Sequence, residues 1–377
     1  MSFAHAETPP PSGDMPTAKM LAASGTQVVG DQGEIPWSGV ETDIRLVQLG
    51  RLFVSRAIEA RIHKVLDATR RARTIYPEPR NVVVHGETGV GKTDIMKRYL
   101  AANPEYRREN GCIRRPVLYV DVRHSSTPKS VARSMLRSLG VEEGYCFGAT
   151  AELTQRLKVQ LVGQNVELVI MDEFHNTVTD NGAVKANRIA AWVKDLSKAK
   201  IRTGLLPDGQ PEENIPFAMV GTERVLRIVE PTENPELASI TPYDLAVDRY
   251  RYRTKAEIAE FRDFLDDLDQ ELPFDEFSDL GRAALADKLH IATFGLLRQV
   301  AVLITGAAEL AILDGSDRIR EPHLHDAMED RHGLLQANLI SAESQGSERR
   351  AVFNPFEKPI LGTTSRRVRK SGHREAA

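Results

Sequence analysis

The chain has 377 residues, 41% hydrophobic and 27% charged, which is the balance of a globular protein with one large or two smaller domains. Its formal charge of −3 excludes a chain-wide affinity for polyanions, so any nucleic-acid surface has to be a local patch. The two cysteines, Cys112 and Cys146, exclude a disulfide framework and favour a cytoplasmic protein, and we expect no signal peptide and no membrane span.

The first part of the chain divides into an arm and a helical stretch. Residues 1–40 are rich in proline and small residues, which predicts a disordered or loosely docked arm. From Glu41 to Arg73, apolar residues recur at helical spacing among arginines, which predicts an amphipathic helix packed on the next part of the chain. These arginines fit a solvated face, and a role in binding nucleic acid or a nucleotide base stays open.

A glycine-rich loop comes after the strand predicted at residues 81–85 and precedes a helix that runs to about Ala102. The loop fits G-x-x-x-x-G-K-[ST] at every position, through Gly86, Glu87, Thr88, Gly89, Val90, Gly91, Lys92 and Thr93. Its glycines allow the backbone N–H groups to turn towards phosphates, and the helix adds the positive end of its dipole. We therefore expect a nucleoside triphosphate, with Lys92 on the β- and γ-phosphates and the Thr93 hydroxyl on Mg²⁺.

A second informative strand spans residues 167–173, where four apolar residues precede Asp172 and Glu173. A fully apolar run is typical of a strand buried on both faces of a parallel sheet, and ligands bind at the carboxyl ends of such strands. We interpret this run as a Walker B element, in which Asp172 holds Mg²⁺ and Glu173 orients and polarises the attacking water. The alternative is an acidic turn that only ends a strand.

The remaining elements predict a sheet domain and then a helical one. Further strands at 116–122 and 215–220 alternate with helices at 129–139, 151–162 and 183–199, which favours a parallel sheet covered by helices on both faces. From Thr254 the pattern becomes helical, at 255–268, 278–289, 293–313 and 321–331. We therefore predict an α/β nucleotide-binding domain at 41–253, a helical lid at 254–340 and a flexible basic tail at 341–377.

Missing motifs narrow the kind of P-loop protein. The sequence lacks Asn-Lys-x-Asp for guanine recognition and Leu-Ser-Gly-Gly-Gln of transporter ATPases, and a DExH helicase would need a second sheet domain. The remaining class is the AAA+ ATPase, an α/β P-loop fold with a small all-helical lid. In that geometry Thr222, or Glu223, lies near the γ-phosphate, and Thr222 could equally cap the next helix or do both. Arg298, early in a lid helix, would fold back onto the phosphates or make a structural salt bridge.

The motifs in residues 45–330 together resemble the TniB/TnsC family of AAA+ transposition regulators. The resemblance rests on the helix before the P-loop, the loop itself, Asp121-Val122 with Ser126-Thr127-Pro128-Lys129-Ser130, Met171-Asp172-Glu173-Phe174-His175-Asn176, Val220-Gly221-Thr222, and the lid stretch ending in Arg298. It implies an ATP- and Mg²⁺-dependent homo-oligomer, a ring or a helical filament, on the phosphate backbone of double-stranded DNA. It also implies that the oligomer links a target-selection protein to a DDE transposase and that hydrolysis drives disassembly.

Two further groups of residues come from the resemblance. Relatives commonly carry a trans-acting arginine soon after a Pro-x-Leu-Ala element, but here Ser239-Ile240 follows that element, which leaves Arg249, Arg251 and Arg253 as candidates. Without a certain arginine finger, we expect slow hydrolysis that depends on assembly. Lys129 and Arg133 are candidates for contacting DNA phosphates, or else form a solvated face. A protein-binding adaptor or a helicase-loader type of ATPase without a transposition role remains the alternative.

Overall fold

The computed structural model describes residues 28–30, 33–109, 111–122, 127–177, 183–198, 214–330 and 354–356. Its strands in chain order are β1 Val28–Gly30, β2 Gly33–Ile35, β3 Val82–His85, β4 Tyr106–Arg107, β5 Ile113–Arg114, β6 Val117–Asp121, β7 Leu168–Asp172, β8 Phe217–Gly221 and β9 Tyr243–Ala246. Its helices are α1 Thr42–Leu49, α2 Ala57–Ala72, α3 Lys92–Ala102, α4 Pro128–Ser138, α5 Thr150–Gly163, α6 Ala183–Ser197, α7 Pro235–Ser239, α8 Lys255–Gln270, α9 Ala283–Thr293 and α10 Leu297–Leu313. Residues 321–330 are also helical.

The central sheet has five strands in the order β6-β7-β8-β3-β9, and every neighbouring pair is parallel. Because all strands run the same way, their carboxyl ends meet at one edge, where Asp121 lies beside Asp172. The predicted α/β class with a parallel sheet is confirmed.

Alternation along the strands divides the core of the sheet into two layers. Val82 and Val84 of β3 pack with α2 and α3, whereas Val83 faces the layer formed by α4, α5 and α6. Because strand side chains alternate with a period of two, both faces of each apolar strand are buried by helices.

A third apolar cluster forms the core of the lid. It is built from Phe261 and Leu265 of α8, Leu289 of α9 and Leu303 of α10, all fully buried. Leu49 of α1 belongs to this cluster and not to either layer of the sheet. The chain therefore contributes to the lid core before it enters the sheet.

The helix predicted from Glu41 to Arg73 is wrong as a single element. The structure has α1 and α2, separated by residues 50–56, because the two pieces serve different cores: α1 packs on the lid, and Ile62 and Leu66 of α2 pack on the sheet. The apolar spacing continues across the break, so periodicity alone did not reveal it.

Two predicted boundaries in the lid are also corrected. The helix predicted at 293–313 begins at Leu297, because Phe294 and Gly295 have φ of 53° and 68° and end α9 in the left-handed region. The helix predicted at 278–289 begins at Ala283, since the backbone N–H groups of Ser278 and Leu280 bond instead to the buried Asp269 carboxylate.

Short segments from both ends of the chain dock on the lid. The Trp37 and Ser38 backbone N–H groups donate to the Asp275 carboxylate, at 2.5 and 2.9 Å. Asn354 donates to the His325 carbonyl at 3.1 Å, and Phe356 is buried in the lid core. Most of the predicted arm and tail, at residues 1–27, 31–32, 341–353 and 357–377, lies outside the described residues, as does the end of the predicted lid at residues 331–340.

Among the described residues, no single helix is both long and apolar enough to cross a membrane. Only α9 and α10 taken together have the length and apolar composition of a membrane-spanning helix, and the two are bent by 116° relative to each other. Both helices contribute buried side chains to the lid core.

Candidate nucleotide-binding site

The P-loop connects β3 to α3 and wraps around the Lys92 ammonium. Gly89 and Gly91 have φ of 86° and 89°, in the left-handed region that glycine adopts without strain. A Cβ on Gly86 would lie 2.1 Å from the Val247 carbonyl oxygen, so this position needs glycine for close approach. Lys92 Nζ donates to the carbonyl oxygens of Gly86 and Glu87 at 2.8 and 2.7 Å. The loop thus has the predicted shape, with Lys92 at its centre.

Burial disfavours the charged form of the Lys92 side chain. The residue is only 8% exposed, and burial lowers the pKa of its ammonium, although Glu173, Asp172 and Glu87 partly offset the shift. An anion held in the loop would supply the missing compensation, because a buried charge requires a partner. A polyphosphate fits this requirement, since the free N–H groups at the start of α3 face the same loop.

Thr93 and Asp172, the two predicted Mg²⁺ ligands, are in direct contact. Thr93 Oγ1 donates to Asp172 Oδ2 at 2.8 Å, and the Tyr119 hydroxyl donates to the same oxygen at 2.6 Å. The Glu173 backbone N–H donates to Asp172 Oδ1 at 2.8 Å, so three donors orient a carboxylate that is 1% exposed. Hydroxyl and carboxylate oxygens are the ligands that Mg²⁺ prefers, and this arrangement fits the ion.

Glu173 leaves the strand in an unusual backbone conformation. Its φ of 57° lies in the left-handed region, which costs a non-glycine residue of order 1–3 kcal/mol. The His175 Nε2 lies 3.6 Å from Glu173 Oε2, but burial lowers the pKa of this imidazole, and the charges of Lys92 and Arg224 lower it further. His175 is therefore neutral near pH 7 and forms no ion pair with Glu173, whose Oε2 accepts from Asn176 Nδ2 at 3.5 Å and whose Oε1 can accept a hydrogen bond from water.

Thr222 ends β8 beside these groups. Its Oγ1 is buried and has no hydrogen-bond partner in the described part of the chain. Its side chain makes no cap bond to the turn after it, and the Val225 N–H bonds to the Thr222 carbonyl instead. The cap interpretation therefore lacks its hydrogen bond, and the hydroxyl is left available for a ligand.

The lid touches the P-loop through the first turn of α10. The Arg298 backbone N–H donates to the Gly89 carbonyl at 2.9 Å, and a Cβ on Gly89 would lie 3.2 Å from the Arg298 Cβ. A Cβ on Gly91 would lie 2.7 Å from Leu297 Cδ2. The exposed Arg298 side chain thus starts beside the loop, and its contact with phosphates stays a prediction.

The three candidate trans-acting arginines lie on the connection between the sheet and the lid. Arg249 Nε donates to Glu87 Oε1 of its own P-loop at 3.0 Å, and a second contact completes the ion pair. Arg251 pairs with Asp248 at 3.0 Å. With Arg253, these residues line a cavity of about 680 Å³ that also contains His290 and Phe294. Arg249 is therefore paired with a residue of its own chain, and a trans-acting role for any of the three arginines stays a prediction.

The two DNA-contact candidates on α4 have different surroundings. Lys129 is exposed. Arg133 donates from Nε to the Cys146 carbonyl at 3.1 Å and lies 4.8 Å from the centre of the Phe147 ring. Arg133 thus has a structural role within the chain, and a DNA contact by either residue stays a prediction.

Sequence reasoning missed two residues near the site. Tyr119, which orients Asp172, is the one side chain with a hydroxyl in the apolar run Val117–Asp121, and this contrast was the available signal. Arg56 donates to the carbonyl oxygens of Val90 and Asp248 at 3.2 and 2.9 Å and lies 4.5 Å from the centre of the Tyr250 ring. No local pattern distinguishes Arg56 from its neighbouring arginines.

Comparisons with known proteins agree with this geometry. Residues 77–229 match a protein family described as an AAA domain, a span that contains the P-loop, Asp172 and Thr222. Two solved structures are similar: the Aeropyrum pernix ORC2 protein in ADPNP–ADP complexes and CDC6P from Pyrobaculum aerophilum. The first has 16% identity and a TM-score of 0.50, covering 79% of this chain and 70% of that one. The second has 14% identity and a TM-score of 0.52, covering 75% and 70%. These likenesses show the AAA+ fold, and no curated protein matches the sequence.

Proposed function

We propose that this chain is a cytoplasmic ATP-dependent regulator of DNA transposition that oligomerises on duplex DNA and is released by slow ATP hydrolysis. The observation that carries the nucleotide part is the meeting of Lys92, Thr93, Asp172, Glu173 and Thr222 at one edge of the sheet, next to the first turn of α10. The transposition part rests on the sequence resemblance to TniB/TnsC proteins.

Each residue of the site has a distinct task. Lys92 and the P-loop N–H groups bind the phosphates, and the buried Thr222 hydroxyl donates to the γ-phosphate. Thr93 and Asp172 hold Mg²⁺, which when bound neutralises charge on the phosphate oxygens. Glu173 accepts a hydrogen bond from the attacking water and orients it.

The contact between Arg298 and Gly89 connects nucleotide binding to assembly. Because α10 rests on the loop that holds the phosphates, the position of the lid depends on the occupant of the loop. A nucleotide that binds the assembled form more tightly than the free subunit favours assembly by mass action. Hydrolysis removes this preference and releases the subunits.

The test measures ATPase activity and oligomer size together, with and without duplex DNA. We expect ATP to produce ordered oligomers on DNA that are visible by electron microscopy, and Lys92→Ala to abolish them. Glu173→Gln should preserve nucleotide binding and assembly while slowing hydrolysis by about 10²- to 10⁴-fold, the usual contribution of a general base.

Three results would change the proposal. Monomers alone in the presence of ATP and DNA would refute it. ATP-dependent oligomers that leave duplex DNA unshifted in a gel would favour the protein-binding adaptor. Unchanged turnover in Glu173→Gln would refute the role of Glu173 and leave the assembly proposal standing.

A further inference from the structure

We infer that a cluster of arginines at the amino edge of the sheet binds the phosphate backbone of nucleic acid. This inference rests on the proposed function, because it names the surface that would contact DNA. The arginine cluster consists of Arg70, Arg71 and Arg73 of the α2 terminus and Arg114 of β5, gathered around Glu167. Glu167 directly precedes β7 and Asp172 ends it, so about 17 Å of strand separates the cluster from the nucleotide site.

One carboxylate holds three guanidinium groups in this cluster. Glu167 accepts from Arg70 at 2.6 Å and from Arg114 at 2.8 Å, and Arg73 lies 3.9 Å away. Although burial opposes ionisation, the hydrogen bonds from Arg70 and Arg114 hold the pKa of Glu167 below its usual range. Asp67 lies 3.7 Å from Arg70 and is a second carboxylate at the cluster.

The geometry fixes the guanidinium groups before any ligand arrives. The Arg70 side chain is 17% exposed and that of Arg73 is 10% exposed, so both are held by the surrounding structure. Arg70 already donates to Glu167, Tyr99 and Asn103, so it positions the cluster, and Arg71 and Arg73 are the residues that would bind phosphate oxygens. Arg71 and Thr74 are exposed and line a cavity of about 440 Å³ beside them, which gives a phosphate access to the cluster.

The excess of positive charge continues onto the neighbouring hairpin. Seven arginines and four carboxylates occupy residues 67–74, residues 105–115 and Glu167, an excess of three positive charges in a chain whose total is −3. The C-terminal dipole of α2 is equivalent to about half a negative charge, so it does not balance this excess. Tyr106 on β4 is 49% exposed, and Arg114 lies 5.9 Å from the centre of its ring.

A polyanion fits this surface better than an acidic helix of a second copy. The best acidic candidate is the exposed face of α8, with Glu260, Asp263 and Asp267. The arginines, however, come from a helix terminus and a hairpin, and they extend over two elements. A duplex, with one negative charge per about 1.7 Å of its axis, meets such a spread surface along its length.

The test compares three charge variants in binding of a fluorescent DNA duplex, with ADPNP present, over a series of salt concentrations. Arg71→Ala/Arg73→Ala should lower the slope of log affinity against log salt by about 2, since each phosphate contact contributes about 0.9. Arg71→Lys/Arg73→Lys should keep most of that slope because the charge remains. The matched control Arg282→Ala/Arg318→Ala removes the same charge from the lid and should bind like the wild type.

Several outcomes overturn the inference, and they can be told apart. A wild type that binds no duplex refutes this inference together with the proposed function. A wild type that binds, with an alanine variant of equal affinity and slope, refutes the inference alone. Loss of self-assembly without DNA in the alanine variant would assign the cluster to a second copy of the chain. If the double variant does not fold, the exposed Arg71→Ala alone should lower the slope by about 1.

Discussion

Replacing Thr222 by valine should stabilise the free protein and weaken its response to ATP. The Thr222 hydroxyl is buried without a hydrogen-bond partner among the described residues, a state that costs about 1–3 kcal/mol. Valine has nearly the same shape and removes that cost, so the free energy of unfolding measured in urea should rise by about 1–2 kcal/mol. The same change removes a donor to the γ-phosphate, and the preference for ATP over ADP should fall by about 10- to 100-fold.

Two other threonines provide matched controls. Thr177 is also buried, but its Oγ1 donates to the Phe174 carbonyl at 2.7 Å, so Thr177→Val should destabilise the protein by about 1–3 kcal/mol. The Thr69 hydroxyl, on α2, is also buried and has no hydrogen-bond partner among the described residues. Thr69→Val should therefore stabilise the protein and leave its preference for ATP over ADP unchanged. If Thr222→Val destabilises the free protein as Thr177→Val does, or keeps the ATP preference, the reasoning is refuted.

Two further predictions concern pH and the lid. Burial lowers the pKa of His175, so the unfolded chain takes up a proton first as pH falls below about 6.5, and the free energy of unfolding should fall there. His175→Gln should flatten this dependence by up to about 1.4 kcal/mol per pH unit in urea titrations, and an unchanged pH profile would contradict it. Gly295→Ala would place a Cβ 2.0 Å from the Tyr250 carbonyl oxygen and should cost more than about 2 kcal/mol in thermal unfolding. Gly315→Ala, which has open space at a similar φ, should cost only about 1–2 kcal/mol, and equal losses in both would argue against the clash.

The strands that carry the chemistry could be predicted because their signal is local. β3, β7 and β8 are apolar runs that lead into the glycine-rich loop, a carboxylate or a glycine, and burial on both faces requires such runs. β9 was missed because it is an edge strand, and only Leu245 in it is buried. An edge strand needs less apolar surface, so its sequence resembles a loop.

In the candidate site, too, some residues could be predicted from local sequence and others could not. The positions of the P-loop glycines and of Asp172 and Glu173 could be located from a motif, because the motif sets residue types at fixed spacing. The ion pair between Arg249 and Glu87 joins positions 162 residues apart, and the shared Glu167 of the arginine cluster depends on three separate elements. Such contacts are products of topology, so no local pattern contains them.

The break between α1 and α2 has a mechanical consequence. Because α1 belongs to the lid core, the polypeptide crosses between lid and sheet twice, at residues 50–56 and at residues 247–254. A domain connected by one segment of chain can rotate in any direction. Two connecting segments restrict its rotation about most axes. Arg56, in the first crossing, donates to the Asp248 carbonyl in the second crossing and to the Val90 carbonyl in the P-loop. A displacement of the P-loop would therefore reach both crossings through one side chain.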